Sequence, residues 1–258
     1  MQEGLLCPSP LSAALAGPLV LGVALSGLYA EDKPANTATK PAEKLKQKGW
    51  KARHERFVQR AQKGGVDVLF LGDSITQGWE GNGKDVWKES IAPLKAANFG
   101  ISGDRTEHVL WRLTEGKELE GIHPKAAVLM IGTNNVGSNS AAQIAEGVEA
   151  VVKELRRQRP DMQILLLGVF PRAGKRIAKD ATEARADELQ PKIKDINKLI
   201  AKLDDGKKVH YLDIGEKFLE KDGSLSKGVM YDYLHLSKKG YAIWAKAITP
   251  SLEKMLQK

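Results

Sequence analysis

Apolar and polar positions alternate along this chain in two distinct periods. Residues 66–71 form a near-continuous apolar run, Val66, Val68, Leu69, Phe70 and Leu71, interrupted only by Asp67. Such a run predicts a central parallel strand covered on both faces. Short apolar runs recur at 96–99, 126–131, 163–169 and 209–212, each ending in Gly, Asp, Asn or Pro. Between them the apolar positions return every three to four residues, the helical period. In 45–62 these are Trp50, His54, Phe57, Val58 and Ala61; in 105–113, Val109, Leu110 and Leu113; in 141–159, Ile144, Val148, Val151, Val152 and Leu155. Further helices are expected over 86–94, 187–203 and 238–256. The segment 213–232 reads as irregular or partly helical.

Strands alternating with helices predict an α/β fold, a doubly wound three-layer α/β/α sandwich around a five-stranded parallel sheet with right-handed crossovers. No internal repeat and no second compositional block is present, so 45–258 reads as one domain. Ahead of it, residues 31–44 are polar and rich in Pro, Ala and Thr, which predicts a disordered linker. Residues 11–30 are apolar, uncharged and rich in small residues. Residues 1–30 are therefore expected to be a cleaved secretory signal with its cut near Ala30, or failing that an N-terminal anchor, and the mature protein is expected to be secreted or periplasmic.

Composition narrows the field. The chain has 258 residues, 42% hydrophobic and 28% charged, which is enough for one large globular domain. Its formal net charge of +8 comes from bases that interleave with acids. No long basic run with interspersed aromatics occurs, so no nucleic-acid partner is indicated. Cys7 is the one cysteine. It allows no intrachain disulfide and no cysteine-based metal site, and no metal or other cofactor is expected.

The chemistry concentrates just after strand ends. Four polar clusters, Gly72-Asp73-Ser74, Gly100 to Asp104, Gly132 to Asn135 and Phe170 to Arg172, follow four of the apolar runs. A parallel sheet brings its strand carboxyl ends to one edge, where ligands bind, so these clusters converge. Ser74 in isolation is more simply part of a helix N-cap. As a nucleophile it needs a base. The chain has five histidines. His54 lies on the first helix, His123 at the wrong edge, His210 inside a strand, and His108 on a helix as a reserve. His235 follows Asp232 by three residues, so one turn places both side chains together. A carboxylate on one ring nitrogen fixes the tautomer and leaves the other nitrogen as base. The order Ser, Asp, His is one in which such triads occur. The backbone N–H groups of Ser74 and Gly103 and the side-chain amide of Asn134 are the candidate donors to an oxyanion. Trp79, Tyr231 and Tyr233 are candidates to line a substrate pocket built from the loops 79–85, 136–142 and 172–185.

The blocks GDSIT, NFGISGD, GTNN and DYLH together resemble the four sequence blocks of the SGNH (GDSL-type) hydrolase family, over about residues 66–247. Within it, NFGISGDRTEHVLWRL and GTNN look closest to platelet-activating-factor acetylhydrolase alpha-subunit-like esterases. Ile75 stands where GDSL-type blocks usually carry leucine. The resemblance implies a flavodoxin-like fold and metal-free ester hydrolysis with Ser74 as nucleophile, His235 as base, Asp232 as orienting acid, and Gly103 and Asn134 as oxyanion donors. It permits a homodimer. The expectation is a serine esterase that takes short acyl groups, acetyl foremost, from a small-molecule lipid or carbohydrate ester. The rival expectation is a non-catalytic carbohydrate-binding or flavin- or nucleotide-binding module on the same fold. Against the nucleotide form, the chain has no GxGxxG or GKS/T motif. A carbohydrate-binding relative would be favoured if Ser74 and His235 lay too far apart for a hydrogen bond.

Overall fold

In a computed structural model, which describes residues 35–173, the short strand 183–184 and residues 189–257, five strands form one parallel sheet. They are β1 (Val68–Gly72), β2 (Ala96–Gly100), β3 (Ala126–Met130), β4 (Gln163–Leu167) and β5 (Val209–Leu212). Their order is β2-β1-β3-β4-β5. The chain moves outward from β1 to one edge and then from β3 to the other. That reversal leaves a crevice beyond the carboxyl ends of β1 and β3, where ligands bind in folds of this order.

The main helices are α1 (Lys48–Gln62), α2 (Thr106–Leu113), α3 (Ala141–Gln158), α4 (Gln190–Ile200) and α5 (Lys238–Leu256). Successive strand side chains point to opposite faces. Leu69, Leu71, Ala127, Leu129, Ile164 and Leu166 therefore join the core formed with α1 to α4. Val68, Phe70, Val128, Met130, Leu165 and Leu167 join a second core under α5. Both faces are covered, which is why the strand sequences are apolar throughout rather than alternating. A wholly buried side chain such as Phe70 contributes about 1.5–3 kcal/mol. Helix α3 begins in a reciprocal cap: Ser140 Oγ accepts from Gln143 N–H, and Gln143 Oε1 accepts from Ser140 N–H.

Three expectations need correction. Residues 36–44 are not a disordered linker. Asn36 Nδ2 donates to Gln143 O (3.0 Å), Ala38 O accepts from Thr106 Oγ1 (2.7 Å), and Thr37 Oγ1 accepts from Asn139 Nδ2 (3.0 Å). Ala38 is fully buried. A polar composition did not prevent packing, because side-chain and backbone hydrogen bonds do the anchoring. The compact unit accordingly runs from Asn36 to Lys258 rather than from Leu45. Second, 84–94 is a chain of short turns rather than one helix. Trp87 and Ile91 lie on a widened turn, Trp87–Ile91, and Pro93 and the left-handed Lys95 (φ 52°) end it. Third, a small antiparallel pair, Glu183–Ala184 with Leu225–Ser226, lies in segments not expected to form strands. The expected signal or anchor, with Cys7, lies outside the described residues, as does most of the loop 174–185. Among the described residues no helix is long and apolar enough to cross a membrane.

Candidate active site

The β1 strand stops at Gly72, and Asp73 starts a single helical turn, Ser74–Gln77. The Asp73 carboxylate accepts from Ile75 N–H (2.9 Å), so Asp73 is indeed a cap. Ser74 is the first residue of the turn, where N–H groups lack helical acceptors. The turn lies directly on the neighbouring strand. A Cβ on Gly100 would come 2.3 Å from the Gln77 nitrogen and 2.9 Å from the Asp73 oxygen. From the other side, Tyr241 on α5 donates its hydroxyl to Ile75 O (2.6 Å). Nothing in the sequence pattern distinguishes Tyr241 from the other inward residues of its helix.

Ser74 Oγ lies 2.9 Å from His235 Nε2, and His235 Nδ1 lies 2.6 Å from Asp232 Oδ2. The second Asp232 oxygen accepts the backbone N–H groups of Leu234 (3.1 Å) and His235 (2.7 Å). Burial opposes ionisation of Asp232, but the hydrogen bonds from His235 outweigh it and hold the carboxyl below its ordinary pKa. The carboxylate thus remains charged and keeps the imidazole oriented. The chain elements that meet here are 161 positions apart.

The other histidines are engaged elsewhere. His54 is buried with Nδ1 2.7 Å from Glu118. His108 Nδ1 accepts Arg105 N–H (2.9 Å), and burial together with the charges of Lys44, Arg105 and Arg112 pushes its pKa down to about 3. His210 contacts Gln163 (3.2 Å). His123 lines a cleft of about 970 Å³ near the start of β3 and β4, the opposite edge of the sheet from Ser74.

The two other predicted donor positions follow β2 and β3. Gly103 has φ +73° and stands in the turn closed by Asp104 N–H to Ile101 O (3.1 Å), and no partner for its N–H is found among the described residues. Asn134 is half-buried, and its Nδ2 donates to Asp104 O (2.8 Å), which holds the amide against the Gly103 turn. A primary amide carries a second N–H for a further acceptor. The adjacent Asn135 is fully buried and has a structural task, tying Thr106 and Glu107 to β3.

Of the residues expected to line a pocket, Tyr231 alone is exposed beside the Ser74–His235 pair. It is 50% exposed, and its ring stacks 6.1 Å from the His235 ring. Trp79 is 1% exposed and packs on Tyr241 (4.6 Å), Trp244 (5.0 Å) and Trp87 (5.7 Å). Tyr233 is 4% exposed, with φ +61°, and its carbonyl accepts Ala173 N–H. Both are core residues, because their large apolar surface is worth more inside than at a pocket wall. Arg172 is the residue whose role was not foreseen. Its Nη1 donates to Thr133 O and Oγ1 (3.2 Å each), so it braces the loop that carries Asn134. Among the described residues no group of three or more His, Cys, Asp or Glu side chains is arranged to hold a metal ion.

The model of the GDSL-like lipase/acylhydrolase family matches residues 70–243. The human platelet-activating factor acetylhydrolase IB subunit alpha1 is 37% identical over 228 residues, covering 88% of this chain and 92% of that protein. The rat alpha2 subunit is 38% identical over 209 residues, covering 81% and 85%. A GDSL-like lipase structure from Bacteroides thetaiotaomicron superposes with a TM-score of 0.62 at 20% identity, covering 79% of this chain and 98% of that one, a likeness of fold.

Burial raises the Asp73 carboxyl from the ordinary aspartate value to about 7, against the pull of the Ile75 N–H and Arg172. The unfolded chain ionises Asp73 freely near pH 4, while the folded chain resists until about pH 7. This group therefore lowers stability as pH rises through that window. Asp73→Asn, which keeps the cap acceptor, is expected to exceed wild type in stability at about pH 8 by on the order of 2–4 kcal/mol, with the gain vanishing near pH 4. Urea melts at the two pH values check this. Equal stability at the higher pH would contradict it.

Proposed function

The chain belongs to the GDSL-like lipase/acylhydrolase family and is a carboxylic ester hydrolase, and from this premise we propose that it works through an acyl-enzyme on Ser74 and prefers short acyl groups, acetyl above all. The observation that carries the mechanism is the unbroken chain from Ser74 Oγ through His235 to Asp232, at 2.9 and 2.6 Å. That contact also favours catalysis over the carbohydrate-binding reading, which a wide separation of the two side chains would have favoured.

In this mechanism His235 Nε2 takes the proton of Ser74 as Oγ attacks the ester carbonyl. The tetrahedral oxyanion is met by the N–H groups of Ser74 and Gly103 and the amide of Asn134. Collapse breaks the bond to the alcohol, which leaves with the proton from His235. His235 then draws a proton from water as the hydroxide attacks the acyl-serine; collapse breaks the bond to Ser74 Oγ, which takes that proton back from His235, and the acid departs. Tyr231, stacked on the imidazole and half exposed, walls the approach to it. Support for acetyl comes from the relatives, which are named as acetylhydrolases of platelet-activating factor, a lipid. The small-molecule substrate class is a lipid or carbohydrate ester. Residues 1–30 act as a cleaved export signal, so that the enzyme works as a secreted or periplasmic protein. A cut after Ala30 leaves the packed unit from Asn36 onward intact.

Three outcomes are expected. A fluorophosphonate labels the wild type once, by intact mass, and Ser74→Ala loses both the label and nitrophenyl acetate turnover; Asn134→Ala keeps the label site but lowers kcat by about 10²–10³. A labelled Ser74→Ala variant would remove Ser74 as nucleophile. Across a nitrophenyl ester series, activity is highest for acetate and falls with chain length, and a maximum at long acyl chains would rule out the acetyl preference. The protein recovered from expressing cells starts near Glu31 by mass. A chain that retains residues 1–30 would refute cleavage.

A further inference from the structure

We infer that Lys44, in the polar segment ahead of the first helix, is a positioning residue for the oxyanion donor Gly103. The inference rests on the catalytic reading above. The Gly103 N–H belongs to the peptide between Ser102 and Gly103. That peptide is the centre of the turn Ile101 to Asp104, and the φ of +73° at Gly103 suits the third position of a type II turn. Type I and type II turns differ by a flip of this central peptide, and glycine tolerates both. A flip would point the N–H away from its catalytic direction. Gly103 is exposed, so packing does not prevent the flip.

Two side chains grip the flanks of that peptide. On one side Gln77, at the end of the Ser74 turn, accepts Ser102 N–H at 2.8 Å. On the other, Lys44 Nζ donates to Gly103 O at 2.6 Å. Among the described residues no other side chain bonds to Gly103. Lys44 is itself well placed to hold: its side chain is 15% exposed and its ammonium lies 3.5 Å from the buried Asp104 carboxylate. Asp104 is fixed in turn by Trp50 Nε1 (2.7 Å) and Arg112 Nη1 (2.9 Å). The backbone beside Lys44 is tied down by Ala42 N–H to Glu107 O (3.1 Å) and, further back, by the bonds from Asn36 and Ala38. A charge-assisted bond to a carbonyl is stronger than a neutral one. Arginine at this position keeps the charge and the donor; methionine and glutamine remove the charge at similar length.

The test compares wild-type full chain with Lys44→Met, Lys44→Gln and Lys44→Arg. The readouts are kcat and KM for nitrophenyl acetate, the rate of fluorophosphonate labelling, whose tetrahedral phosphonyl oxygen uses the same donors, and the melting temperature. The Met and Gln variants are expected to lose about 10- to 100-fold in kcat and in labelling rate, with KM little changed, and Arg to recover most of that loss. Met and Gln variants at wild-type rates, a loss confined to KM, or an Arg variant as slow as the Met variant with unchanged melting would each overturn the assignment. Labelling that survives Ser74→Ala would fail the catalytic reading itself, a result distinct from any of these because it appears with Lys44 intact.

Discussion

The turn that carries Ser74 exists because backbone meets backbone beneath it. A Cβ on Gly72 would stand 2.4 Å from Met130 O and one on Gly100 2.3 Å from the Gln77 nitrogen, so neither position has room for a side chain. The serine is thereby held against the ends of β2 and β3, the strands that deliver Gly103 and Asn134. This contact sets the distance from Ser74 to the Gly103 turn and Asn134 before any side chain is chosen. Parallel strands in register supply the rest, since Gly72 pairs with Gly100 on one side and with Met130 on the other.

Beneath the donor loop lies a charged core. Arg112 is fully buried and binds Asp104, Glu118 and the Phe99 carbonyl, while Glu118 also meets His54. Desolvation of so many charges largely cancels their attraction, so the cluster is poor evidence of added stability. Its geometric effect is clearer. Asp104 has its carboxylate taken by Arg112 and Trp50, its N–H by Ile101 and its carbonyl by Asn134. One residue thus joins the Gly103 turn and Asn134 to the protein interior.

What the sequence revealed followed the strength of local periodicity. The β1 run, the amphipathic α3 and the α5 helix were legible because burial imposes a pattern over many residues. The Asp232 and His235 spacing was legible because a three-residue separation constrains geometry. Trp79 and Tyr233 were misjudged because an aromatic ring in a loop looks the same whether it faces inward or outward. Residues 36–44 were misjudged because their anchoring uses single hydrogen bonds to distant segments, Asn36 to α3 and Lys44 to Gly103, which leave no mark in composition. Asp104 was noticed only as part of a glycine-rich cluster, since its partners Trp50 and Arg112 lie in different helices.

The 161 positions between Ser74 and His235 also bear on the birth of the enzyme. Synthesis proceeds from the amino terminus, and β1 to β4 emerge well before His235. The Tyr241 hydroxyl that steadies the Ser74 turn comes later still. A nascent chain that already displays Ser74 therefore has neither the imidazole that bonds its hydroxyl nor the strut that holds its turn. The Ser74 turn, the His235 imidazole and the Tyr241 strut therefore come together only once the carboxyl-terminal part of the chain has been made, so the arrangement closes at the end of synthesis.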